Sequence, residues 1–105
     1  MINSEFIVNW PSGDCLPVLA TKISAIDLAG RVNLSIFRAE DDLDWFSGLL
    51  IRATEIGAIL LMQHDGNPQR LTVFYADANV DLVRARSEIS KMFSLHQADI
   101  FWCRE

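Results

Sequence analysis

The sequence predicts an α+β fold: one domain over residues 1–105, with a ferredoxin-like β-α-β-β-α-β core at 31–103 and an N-terminal β-rich extension at 1–30. Three observations carry this reading. Residues 32–37 alternate apolar and polar side chains, the period of a half-buried strand. Asp65-Gly66-Asn67-Pro68 separates two apolar runs, as a hairpin turn does. On either side of that hairpin stands a stretch with apolar residues at helical spacing.

The elements follow in chain order. Phe6-Ile7-Val8-Asn9-Trp10 reads as a strand with Phe6, Val8 and Trp10 on one face, and Pro11-Ser12-Gly13-Asp14 as a turn. Residues 16–24 read as the returning strand of a hairpin, because Val18, Thr21 and Ile23 are β-branched. Leu16, Leu19, Ile23 and Ile26 also fit helical spacing, with Gly30 just past the helix end, so both readings stand at this point. Val32, Leu34 and Ile36 alternate with Asn33, Ser35 and Phe37 in the next strand.

Glu40-Asp41-Asp42 opens a helix, since carboxylates in a first turn face the positive end of the helix dipole. Leu43, Phe46, Leu50 and Ala53 form its stripe, and Gly57 ends it. Ala58 to Met62 is a short, continuously apolar central strand, and Leu71 to Ala76 is its hairpin partner. Asp77 or Asn79 caps a second helix whose inner face carries Leu82, Ile89, Met92, Phe93 and His96. Asp99 to Cys103 is the final strand. Both helices of such a core lie on one face of an antiparallel four-stranded sheet, which leaves the other face open.

Composition narrows the function. Half the chain is apolar and 22% is charged, which excludes a disordered tail or a collagen-like rod. Fourteen carboxylates against nine Lys and Arg give a net charge of −5. That balance disfavours nucleic acid and anionic membranes, and is compatible with a basic protein partner. Cys15 and Cys103 form no C-x-x-C pair. The N-terminus lacks a basic, apolar leader, and the longest apolar run is far too short to span a bilayer. A cytoplasmic protein with free thiols is the expectation.

No motif assigns chemistry. There is no G-x-S-x-G elbow and no glycine-rich phosphate loop, so no catalytic residue and no cofactor is expected. The EF-hand spacing is absent, so no metal is expected. His64 and His96 read as structural, and Cys103 beside Arg104 as an inert thiol.

Two candidate surfaces remain. The first is the anionic run Glu40, Asp41, Asp42 and Asp44 beside Trp45, suited to Arg and Lys on a partner. It implies a non-enzymatic protein-binding module that neutralises or regulates a basic protein, with the general character of immunity and antitoxin proteins. The second is the open sheet face, with Asn33, Phe37, His64 and Tyr75 supplying contacts. It implies a dimeric small-molecule-binding domain or a cofactor-free enzyme, the homodimer pairing two sheets face to face.

Overall fold

Residues 15–40, 44–51 and 56–104, the residues described by a computed structural model, form a six-stranded antiparallel sheet with two helices. In chain order these are β1 (Cys15–Thr21), α1 (Ala25–Arg31), β2 (Phe37–Glu40), β3 (Trp45–Ile51), β4 (Ile59–His64) and β5 (Thr72–Asp77). Then come α2 (Leu82–Met92), a 3-10 turn at Gln97–Asp99, and β6 (Ile100–Cys103). The strand order across the sheet is β2-β3-β4-β5-β1-β6. The α+β class holds, but the strand order is not that of a ferredoxin-like sheet. One split unit is present: β5 and β6 flank β1, and α2 carries the chain across from one to the other. Strands β2 to β5 form a plain meander.

The largest departure lies at 40–57, where a helix was expected. Residues 45–51 are strand β3, paired with β2 on one side and β4 on the other. The physical reason is that β3 is buried on both faces. Leu49 points to the helix side, while Phe46 and Leu50 point to the opposite side. A strand covered on both faces reads as a continuous apolar run, and periodicity does not separate that from a buried helix.

Two smaller corrections concern the first third. The strand expected at 32–37 begins only at Phe37. Val32 and Asn33 instead close α1: Asn33 takes a left-handed φ of 63°, and the Leu34 N–H reaches back to the Ala29 carbonyl at 3.0 Å. This is the αL closure that favours Gly or Asn after a helix. The two readings of 16–30 each hold for half of it, strand to Thr21 and helix from Ala25. Ser24 separates them, its hydroxyl accepting the Asp27 N–H at 3.2 Å as an N-cap. Both edges of β1 are occupied, by β5 and β6. The expected strand 6–10 and turn 11–14 lie outside the described residues.

The core has two parts. On the helix side, Leu28 of α1 and Ile89 and Phe93 of the α2 segment pack on Leu49, Leu61 and Phe74, with the Phe74 and Phe93 rings edge-to-face at 5.1 Å. On the other side, Phe37, Ala39, Phe46, Leu50 and Leu60 form a second buried cluster. Gln63 ties β4 to α1, its side-chain oxygen accepting the Ala25 N–H at 3.0 Å and its amide donating to the Arg70 carbonyl at 2.9 Å. Gln63→Met keeps the volume and removes the acceptor. Its expected cost is about 1 kcal/mol, the size of a lost helix cap, read by urea denaturation.

Candidate functional site at the acidic β2–β3 corner

The β2–β3 ladder sets the corner. Glu40 pairs with Trp45, Ala39 with Phe46, Arg38 with Ser47 and Phe37 with Gly48. Because side chains alternate, Arg38, Glu40, Trp45 and Ser47 share one face of the hairpin, and Phe37, Ala39, Phe46 and Gly48 share the other. The second set is buried in the core. Of the first set, Glu40 is exposed and Trp45 keeps 47% of its surface in solvent. Trp45 and Glu40 are therefore neighbours across the ladder, not neighbours along a helix.

The turn between β4 and β5 braces this hairpin. The Asp65 N–H donates to the Trp45 carbonyl at 2.9 Å, and the Gly66 N–H donates to the Asp44 carboxylate. Arg38 grips Asp65 with both ends of its guanidinium, at 2.8 and 2.6 Å, and also donates to the Ser47 hydroxyl at 2.9 Å. Gly66 lets the Asp44 carboxylate come close to the turn backbone, since a Cβ there would meet it at 2.6 Å and shift it. Arg38 and Asp65 are each about half exposed, so the pair orients β2 against the β4–β5 turn more than it stabilises the fold.

The Arg38 hydrogen bond, more than its charge, holds the Asp65 carboxyl below its ordinary value, against a smaller desolvation effect. A carboxylate depressed on folding contributes at pH above its unfolded value, and the contribution fades as pH falls through the folded value. Arg38→Gln is expected to return Asp65 upward toward the ordinary carboxylate range. A carboxyl-carbon NMR titration reads that shift.

The sequence-derived residues divide as follows. Glu40, Asp44 and Trp45 meet at this corner, while Asp41 and Asp42 lie outside the described residues. A shallow concavity of about 310 Å³ beside Asp44 is lined by His64, Gly66 and Asn67. Phe37, His64 and Tyr75 stand on the sheet face away from the helices. Phe37 is buried there against Phe46, ring centroids 5.7 Å apart, and the His64 ring packs at 5.5 Å on the other side of Phe46. Tyr75 packs on Leu60. Asn33 stands apart from all three, at the end of α1. Arg38 and Asp65 are the members that sequence reasoning missed. They lie 27 positions apart, and only the sheet register brings them together.

No group of three or more His, Cys, Asp or Glu among the described residues is placed to hold a metal ion. No helix among them is long and apolar enough to cross a membrane. No protein-family model matches the chain, and no curated protein or solved structure matches it.

Proposed function

We propose that this protein is a non-enzymatic protein-binding module that engages a basic partner through the Glu40–Asp44–Trp45 corner, as an immunity or antitoxin protein would. The observation that carries the reading is Trp45, a large aromatic half open to solvent on a braced hairpin. Exposed Trp is the residue type most enriched among interface hot spots. The Asp44–Gly66 and Arg38–Asp65 contacts tie β2 and the start of β3 to the β4–β5 turn before a partner arrives, which lowers the ordering cost of binding. Glu40 stands across the ladder from Trp45 and Asp44 precedes it in the chain, and the net charge of −5 draws a cationic partner toward them.

An arginine-rich peptide serves as a defined probe. Trp45→Ala is expected to weaken its binding by about 2 kcal/mol, the size of a hot-spot truncation. Glu40→Lys is expected to slow association and flatten its salt dependence. Fluorescence anisotropy and stopped-flow mixing read both. Affinity unchanged in both variants overturns the reading.

A further inference from the structure

The opposite edge of the sheet carries a different surface. β6 is the last strand in the sheet order, so its outer edge has no strand neighbour among the described residues. Its residues Phe101 and Trp102 are 46% and 42% exposed, and Val83 on the facing side of α2 is 67% exposed. Between β6 and α2 runs an open groove of about 660 Å³, with Leu19, Val83, Arg86, Ser90, Phe101 and Trp102 in its lining. Phe101 and Trp102 both line it although they are consecutive. The β1–β6 register shifts beside them, between Ala20 and Thr21, and a bulge of that kind re-aims a side chain.

The charge here is the reverse of the β2–β3 corner. Lys22 sits 5.4 Å over the Phe101 ring, and the Arg104 guanidinium 5.9 Å from the Trp102 ring. Arg86 donates to the Arg104 carbonyl, and Arg104 Nε donates to the Pro17 carbonyl at 2.8 Å. Those contacts use few of the donors that a guanidinium offers and leave others for a carboxylate. The chain has 14 Asp and Glu, yet none is among the described residues lining this groove.

We infer that the α2–β6 groove docks an extended, acidic segment of a partner protein, with an apolar residue seated between Phe101, Trp102 and Val83 and flanking carboxylates on Arg86 and Arg104. The apolar lining at Leu19 and Val83 favours a peptide, which brings apolar side chains to it, over a polyphosphate chain, which has none.

The test is an amide NMR titration of the full chain with a synthetic peptide that alternates Glu with Val around a central Leu. Saturable shifts at Val83, Phe101 and Trp102 are expected. Val83→Asp, a change at an exposed site that leaves the core intact, should weaken binding about tenfold, as loss of a seated apolar contact beside a new repulsive charge does. Arg86→Glu should do the same, with thermal melting used to confirm that α2 stays docked. Three results overturn the inference: no saturable shift, a stronger response to oligothymidylate than to the peptide, or shifts at β6 produced by raising the protein's own concentration without peptide.

Discussion

Phe46→Ala is expected to lower the free energy of unfolding by about 3–5 kcal/mol, the cost of truncating a fully buried aromatic. Phe46 is 1% exposed although it points away from both helices. Its ring lies between Phe37 and His64, with Ala39, Leu50 and Leu60 in the same cluster. A domain of this size has a stability of about 5–15 kcal/mol, so the variant would retain little margin. Urea denaturation followed by far-ultraviolet circular dichroism measures it. A loss under about 1 kcal/mol would mean that this face is an open platform after all, the setting that a ligand or a second sheet would need.

Gly48→Ala carries an opposite sign under the two readings of residues 45–51. In a helix interior, replacing Gly by Ala stabilises by about 1 kcal/mol. In β3, the added Cβ would lie 2.8 Å from the Phe37 ring, 3.0 Å from the Phe46 ring and 3.2 Å from the Leu61 carbonyl oxygen. The rings can move, but the β4 backbone moves only with the sheet. The expected result is a loss of about 1–3 kcal/mol, typical of overpacking. Phe37→Leu in the same chain removes the closest clash. The two changes should therefore cost less together than the sum of their separate costs, since residues in contact are not additive.

What was legible in the sequence is what depends on neighbours along the chain. The turn at 65–68 and its flanking strands β4 and β5 stand within a residue or two of expectation. The inner face of the second helical segment holds at Ile89 and Phe93, which are fully buried, but not at His96, which is exposed and opens the 3-10 turn beyond the helix. Its cap is Asp81 instead of Asp77 or Asn79, with the carboxylate accepting the Val83 N–H at 3.0 Å. Illegible were the features that depend on distant pairing. The acidic residues of 40–44 look like a helix start, because carboxylates favour that position for dipole reasons. Only the contacts of β3 with β2 and β4 show that the chain stays extended.

The acidic corner was therefore half legible. Glu40, Asp44 and Trp45 were identifiable as charge beside an aromatic. Their geometry was not, since the ladder pairing of Glu40 with Trp45 and the Arg38–Asp65 brace come from sheet register. The groove at β6 was hidden for a similar reason. In the sequence Phe101 and Trp102 are consecutive residues of a final strand, Trp102 reading as a core-edge or open-face residue, and the exposure of both follows from the position of β6 at the end of the strand order.

The measurement that bears most directly on the proposed function is the Trp45 indole N–H resonance during titration with an arginine-rich peptide at low salt. The account predicts a saturable shift of that resonance together with the Glu40 and Asp44 amides, reversed by added salt, with the β6 amides unmoved. Shifts spread evenly over the surface, or centred anywhere other than this corner, would contradict it.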